Sequence, residues 1–192
     1  MLSQLRPAIV MVALFTLLLG VAYPFGITGI AQLAFPSQAD GSLIRDAEGQ
    51  IIGSALIGQR FAGARYLHPR PSAAGDGYDA SASSGSNLGP LNTDLAERIR
   101  TDADALRAGT GATVIPADAV TTSASGLDPH ISPAYARLQA ARVAQARGVD
   151  VSAVQQVIDA NTEGALLGFI GQPRVNVLLT NRALDARFPA AS

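Results

Sequence analysis

The sequence predicts an α+β protein, with a single N-terminal transmembrane helix followed by one soluble domain of mixed helices and strands. No charged residue lies between Arg6 and Asp40, and the first half of that stretch is almost entirely apolar. About 150 residues follow, enough for one compact domain with its own core. Helix and strand patterns follow one another there in mixed order, without an internal repeat. We therefore divide the chain into an anchor with its exit segment, residues 1–36, and a soluble domain, residues 37–192.

The apolar stretch is long enough to cross a membrane. A bilayer core about 30 Å thick needs roughly 20 apolar helical residues, and Leu5 to Phe25 supplies them. A cleaved secretory signal is the alternative, with small residues such as Gly20 at the processing site. Apolar residues continue to Phe35, further than a signal needs, which favours an uncleaved anchor.

The distribution of basic residues predicts the orientation of this anchor. Arg6 precedes the span, and the first basic residue after it is Arg45. The positive-inside rule then places the N-terminus in the cytoplasm and the soluble domain outside it. We expect a single-pass protein of the cell inner membrane, with lipid around the N-terminal helix and an extracytoplasmic domain.

The first part of the soluble domain predicts a hairpin and a long loop. Residues 43–45 and 50–57 flank a turn-like cluster and are typical of a β-hairpin. Residues 58–90 are rich in Gly, Pro, Ser, Ala and Asn, yet they also carry aromatic residues and three arginines. We expect an ordered irregular loop, and since a loop of about 30 residues is usually functional, it is the first candidate contact surface.

The second part predicts three helices and a closing strand. Asn92 or Thr93 can cap a helix through Arg107, with a glycine-rich end. Ser132 and the proline after it predict a second helix, to about Arg147. A third helix is expected from residue 150 or 152 to near 164, and residues 175–179 alternate as a strand does.

Composition excludes several classes of function. The net charge is −1 and the basic residues are scattered, so nucleic acid is not an expected partner. All 14 basic residues are arginine, so neither a phosphate-binding P-loop nor Schiff-base chemistry is expected. Cysteine is absent, and the two histidines have no second ligand at helical spacing, so no metal site is predicted.

Two groups of residues are candidates for binding. Ser123, Ser125 and Gly126 lie in a segment that can present N–H groups and hydroxyls to an anion, as a weak nucleotide or phosphate site, or that is simply a structured turn. The second group is either an edge that faces a partner or a cluster that holds the loop to the core: Tyr66, His68, Arg70 and Pro71.

Asp128, His130 and Ser132 invite a serine-hydrolase interpretation. Alternate residues on an irregular turn do not normally converge as nucleophile, base and orienting group. The simpler interpretation is that Asp128 and Ser132 cap the following helix while His130 bonds locally.

Several motifs, taken in order, resemble one family, the C subunit of the Kdp potassium-transporting ATPase. The resemblance runs from the span to near the C-terminus. It is carried by Phe35-Pro-Ser-Gln38, Leu56-Ile-Gly-Gln59, Arg70-Pro-Ser-Ala-Ala74, Gly85-Ser-Asn-Leu-Gly-Pro90, Val120-Thr-Thr-Ser-Ala-Ser-Gly-Leu-Asp-Pro-His-Ile-Ser132 and Arg174-Val-Asn-Val-Leu178. The run at residues 83–87 and the tripeptide at 39–41 depart slightly from the family pattern, with residues that still suit turns.

The resemblance implies a non-catalytic accessory subunit of an ATP-driven, high-affinity potassium import complex. Its partners would be a potassium-channel-like subunit and a P-type ATPase subunit that hydrolyses ATP. The family is described as a chaperone-like subunit that raises the ATP affinity of the catalytic subunit. That role implies no firmly bound cofactor, and ATP held through the complex, with residues 123–128 and Gln139 as nucleotide contacts.

Two mechanisms fit this resemblance. In the first, the domain is extracytoplasmic and docks beside the potassium entrance through residues 61–90, including Ser86 and Asn87, and residues 121–130, including Asp128 and His130. In the second, the domain is cytoplasmic and assists nucleotide binding. The alternative from a different class is a membrane-anchored or secreted hydrolase.

Overall fold

The computed structural model describes residues 2–189, and the chain forms two compact units, Met1–Ser54 and Ala55–Ser192. The first contains the apolar helix and a hairpin. The second contains four helices and a small sheet. The α+β class with an N-terminal apolar helix is confirmed, while the division of the chain after residue 36 stays a prediction.

The N-terminal unit is dominated by one helical run of 30 residues, Leu5–Ala34. It consists of α1 (Leu5–Leu17), a π-helical turn (Leu18–Ala22) and α2 (Tyr23–Ala34). The run is about 45 Å long at 1.5 Å per residue, longer than the predicted span of Leu5 to Phe25. By length and composition it can cross a membrane.

Proline explains the irregularities of this run. Pro24 has no N–H and its ring would clash with the carbonyl of Gly20 in an ordinary α-helix. The wider π-helical turn lies at this place, and the Tyr23 N–H donates there to the Leu18 carbonyl. At the other end, Pro36 forces Phe35 out of the helical region, to φ −141°, and a short helix α3 (Pro36–Ala39) follows.

The predicted hairpin is present. β1 (Leu43–Arg45) and β2 (Ile51–Ser54) pair antiparallel. In the turn between them, Asp46 Oδ1 accepts from the backbone N–H groups of Glu48 and Gln50 at 3.1 and 2.7 Å. The second strand is shorter than predicted, because it ends at Ser54 and not at residue 57.

The C-terminal unit contains α4 (Thr93–Thr110), α5 (Pro133–Arg147), α6 (Val151–Ala160) and α7 (Val177–Arg187). Its three short strands are β3 (His130–Ile131), β4 (Thr162–Glu163) and β5 (Arg174–Asn176). They form an antiparallel sheet in the order β3-β5-β4. Residues 58–90 carry only one turn of 3₁₀ helix, Ala80–Ala82, as expected of an irregular loop.

Capping residues set the predicted helix ends. Asn92 Oδ1 accepts from the N–H groups of Asp94 and Leu95. Helix α4 ends at Thr110, three residues beyond the predicted Arg107, and Gly111 follows in the left-handed region as its C-cap. Ser132 Oγ accepts from the Tyr135 N–H and so caps α5, which Gly148 closes. Both glycines take positive φ at little cost because they lack a Cβ.

Two predictions about the C-terminal part were wrong. Residues 175–179 do not continue as a strand, because the Asn176 side chain accepts from the Leu179 N–H and starts α7. The third helix does not reach residue 164, because it ends at Ala160 and the chain enters β4. Two-residue strands such as β3 and β4 are too short to leave a periodic pattern in the sequence.

The core lies between α5, α6, α7 and the sheet. Helices α5 and α6 pack against each other along much of their length. The long loop contributes Leu67, which is completely buried. The core side chains of the helices, β3 and β5 include Ile131, Ala136, Ala140, Val143, Val154, Ile158, Val175 and Leu184.

Candidate functional site

Two buried amides hold the long loop to the helices. Asn181 of α7 accepts from the Leu67 N–H at 2.7 Å and donates to the Leu67 carbonyl at 3.0 Å. Gln139 of α5 does the same for His68, at 2.7 and 3.0 Å. Each side-chain amide satisfies one residue's N–H and C=O, as a neighbouring strand would. Gln139 is therefore engaged in fixing the loop, and its predicted contact with nucleotide stays a prediction.

Arg70 joins the loop to the segment before α5. Its guanidinium donates to Asp128 Oδ2 at 2.9 Å and to the carbonyls of Thr121 and Thr122 at 3.3 and 3.2 Å. Tyr78 donates its hydroxyl to the Arg70 carbonyl at 2.6 Å. The Arg70 side chain thus ties together the two segments that the sequence predicted as contact surfaces, residues 61–90 and 121–130.

Charge and burial at this junction shift two pKa values. Burial of Asp128 opposes its ionisation, but hydrogen bonds from His130 and Arg70 and the charge of Arg70 outweigh it, so the pKa of Asp128 is lowered. Burial, followed by the nearby Asp128 carboxylate, raises the pKa of Tyr78. Asp128 is therefore ionised and Tyr78 neutral at physiological pH.

We expect Asp128→Asn to lower the free energy of unfolding by about 1–2 kcal/mol at pH 7, because hydrogen bonds to a charged group are lost. The folded-state pKa lies below the ordinary 3.8, so this stabilisation is present above 3.8 and is lost as the pH falls through the folded-state pKa. Chemical denaturation of the wild type and of Asp128→Asn between pH 7 and pH 3 measures the difference between their unfolding free energies. This difference should become smaller as the pH falls.

Asp104→Asn is the control, because its ion pair with Arg107 is exposed and is worth only about 0.5 kcal/mol. A difference between the wild type and Asp128→Asn that stays constant down to pH 3 would contradict the prediction.

The hydrolase interpretation has no support in the geometry. Ser132 Oγ donates to Asp118 Oδ1 at 2.9 Å and caps α5. His130 instead directs its backbone N–H to Asp128 Oδ1, at 2.9 Å, with its ring Nδ1 3.7 Å from the same oxygen. Ser132 has the predicted capping role, whereas Asp128 pairs with Arg70 and does not cap the helix.

The segment of Ser123, Ser125 and Gly126 is packed against the long loop. The Gly126 carbonyl accepts from Ser72 Oγ at 2.6 Å, and the Ser125 carbonyl accepts from Ser83 Oγ at 2.9 Å. The Leu127 N–H donates to Ser125 Oγ. These groups are used within the chain, as in a structured turn.

The other candidates of the loop lie in two places. The Tyr66 ring lies 5.6 Å from the Phe61 ring and 5.4 Å from the guanidinium of Arg147, in a cluster that holds the loop to the domain. Asn87 is exposed and has φ +54°, and its side chain donates to Ser84 Oγ, while Ser86 is half-buried. Arg147 was missed because nothing in its own stretch of sequence distinguishes it.

Two open grooves flank Arg70. The larger, which we call the polar groove, has a volume of about 460 Å³ and is lined by polar side chains: Arg70, Asp118, Asp128, His130, Ser132, Gln172 and Arg174. The smaller, of about 310 Å³, contains His68 and Pro71. Burial, followed by the charge of Arg142, lowers the pKa of His68. Three residues that were predicted to contact a partner line the polar groove: Arg70, Asp128 and His130. Asp118 and Arg174 also line it, but the sequence did not indicate them as contact residues.

The grooves are suited to binding through hydrogen bonds. Arg70 pairs with Asp128, and Arg174 pairs with Glu163 at 2.8 Å, so the main charges are balanced. Within residues 2–189, no group of three or more His, Asp or Glu side chains is placed to hold a metal ion.

A helix long and apolar enough to cross a bilayer, followed by a compact α+β unit, defines the class of a candidate single-span membrane protein. The family model described as K⁺-transporting ATPase, c chain (KdpC) matches residues 5–186. The chain belongs to this family.

Relatives from several bacteria support the assignment. The chain is 70% identical to the "Potassium-transporting ATPase KdpC subunit" of Caulobacter sp. (strain K31), over 99% of this chain and 97% of the relative. It is 62% identical to the protein of that name from Beijerinckia indica, over 98% and 96% of the two chains. For the Mycobacterium bovis protein the identity is 51%, over 95% and 97%.

Proposed function

We propose that this chain is an accessory subunit of a potassium-transporting ATPase complex, in which another subunit hydrolyses ATP. The observation that carries the proposal is the family match over residues 5–186, which includes both the apolar helix and the loops around Arg70. The 192 residues contain no lysine, so an Asp-Lys-Thr phosphorylation motif does not occur in them. This composition supports a role in assembly and modulation of the complex.

The partners we propose are a potassium-channel-like subunit and a P-type ATPase subunit. Residues 61–90 and 121–130 would supply the contacts, with the domain beside the potassium entrance. Arg70 and the two amides hold these segments in one arrangement before any partner binds. A preformed surface binds with a smaller loss of conformational entropy, which suits a subunit that stabilises a complex.

Nucleotide assistance is the weaker mechanism. It would use Gln139 and the segment of Ser123, Ser125 and Gly126 as contacts. The Gln139 amide bonds His68, and the Gly126 N–H bonds the Ser123 carbonyl at 3.3 Å. Binding of ATP would have to replace such contacts, so we favour docking at the potassium entrance.

Reconstitution tests the accessory function directly. An affinity-tagged chain is co-expressed with the channel-like and ATPase subunits of its complex, and the purified complex is assayed for potassium-stimulated ATP hydrolysis. We expect co-purification, and a loss of stimulated activity when this chain is omitted. Full activity and assembly without it would refute the proposal.

The orientation can be tested with single cysteines, since the chain has none of its own. Ser152 is exposed at the start of α6 and serves as the labelling position in the C-terminal unit. We expect Ser152→Cys to react with a membrane-impermeant thiol reagent in cells whose outer membrane alone is permeabilised. Ser3→Cys, on the other side of the apolar helix, should react only after lysis.

The reverse labelling pattern would place the domain in the cytoplasm. Docking at the external potassium entrance would then be excluded, and nucleotide assistance would become the mechanism to pursue.

A further inference from the structure

A tight loop between β4 and β5 carries four large apolar side chains into solvent. We call residues 164–171 the apolar loop. The exposed fractions of Leu166, Leu167, Phe169 and Ile170 are 66%, 76%, 77% and 49%. Single exposed apolar residues are normal in soluble domains, but four in one turn mark an interaction site.

Backbone bonds give this loop a defined shape. Leu166 and Ile170 exchange N–H···O bonds of 2.9 Å in both directions, and the Gly168 N–H donates to the Ala165 carbonyl at 3.0 Å. Leu167 has φ +54°, a conformation that costs a non-glycine residue energy. The turn therefore presents its side chains outward in a fixed arrangement.

The charge of the region favours a protein partner over lipid. No charged residue occurs between Glu163 and Arg174, and these two pair with each other at 2.8 Å. Residues 55–192 contain twelve arginines and twelve carboxylate side chains, a net charge of zero. Loops that bind anionic bilayers usually combine apolar side chains with excess basic residues, which this unit lacks.

The apolar loop is continuous with the polar groove. Residues 172–174 follow it directly in the chain and line that groove beside Asp128 and His130. An apolar centre next to a polar, solvent-accessible rim is the usual anatomy of a protein–protein interface. The two features together form one surface.

We propose that the apolar loop inserts Leu167 and Phe169 into an uncharged, apolar pocket of the channel-like subunit of the potassium-transporting ATPase complex, with the polar groove as the rim of that contact. The inference rests on the proposed function and deepens it by naming the contact. Leu167 and Phe169 are the two most exposed side chains of the loop. Large side chains at the centre of an interface carry most of its binding energy.

Photo-crosslinking in the assembled complex tests the contact. The analogue p-benzoylphenylalanine is placed at Phe169 and, as a matched control, at Val114, an apolar position that is 80% exposed and lies outside both proposed contact segments. On irradiation we expect a cross-link from position 169 to the channel-like subunit, identified by mass spectrometry, and none from position 114. Cross-links from position 169 to the ATPase subunit alone, to lipid alone, to a second copy of this chain alone, or to nothing would overturn the inference.

A pair of substitutions tests the energetic importance. Leu167→Asn keeps a residue that tolerates positive φ, and with Phe169→Ser it removes both apolar side chains. We expect co-purification of the other subunits with this variant to fall at least tenfold, with Val114→Asn unaffected. Unchanged recovery with the double variant, when the wild type co-purifies, would refute this inference alone. Failure of the wild type itself to co-purify would refute the proposed function.

Discussion

Gly126→Ala is expected to lower the free energy of unfolding of the C-terminal unit by about 3–5 kcal/mol. Gly126 has φ +67°, and a Cβ built there would lie 2.7 Å from the Ala74 nitrogen and 2.7 Å from the Ser84 oxygen. Both are backbone atoms, so neither can move aside by changing a rotamer. The methyl group would push the segment before α5 away from the long loop and break the contacts that Arg70 makes across this junction.

Gly148→Ala is the matched control for this prediction. Gly148 also has φ +67°, but a Cβ there meets nothing within 4 Å. It should therefore cost only the left-handed conformation, about 1–2 kcal/mol. Chemical denaturation of the detergent-solubilised full chain, followed by circular dichroism, measures both. Equal losses in the two variants would mean that the segment of residues 123–128 is not packed as described.

The same comparison informs the proposed function. If residues 61–90 and 121–130 act as one preformed surface, Gly126→Ala should also weaken co-purification with the other subunits, whereas Gly148→Ala should not. Stability and assembly would then be lost together, because both depend on the junction at Arg70.

Local signals in the sequence predicted the elements that local chemistry determines. Asn92 and Ser132 are side chains that satisfy free N–H groups at helix starts, so the positions of α4 and α5 followed from them. The apolar helix followed from composition, although its length did not, because the π-helical turn lets it continue past Pro24. Asn176 shows the limit of such local signals. The same residue ends β5 and caps α7, and only its capping role can be inferred from the neighbouring sequence.

Long-range pairing is what the sequence could not predict. Arg70 and Asp128 were both candidates, but nothing in either segment shows that they form an ion pair across 58 positions. Arg147 and Asp118 went unnoticed because their importance comes from contacts with distant backbone groups. The apolar loop was also missed, because a short apolar run between glycines looks like a buried strand until its exposure is known.

Asn181→Ala is the second change for which we expect a large effect, a loss of about 2–4 kcal/mol of unfolding free energy. The substitution leaves the N–H and C=O of Leu67 without partners, and Leu67 is completely buried, so water cannot replace the lost bonds. Gln155→Ala is the control, since it removes an amide from the exposed face of α6 and should change stability by less than about 0.5 kcal/mol.

The decisive comparison is proteolysis of the long loop in folded protein. If Asn181 fixes residues 58–90, the variant should be cut there well below its unfolding midpoint, while Gln155→Ala stays resistant. A variant that loses stability but resists cleavage in the loop would show that Asn181 supports the core of α7 alone, and that the rigidity of the contact surface has another source.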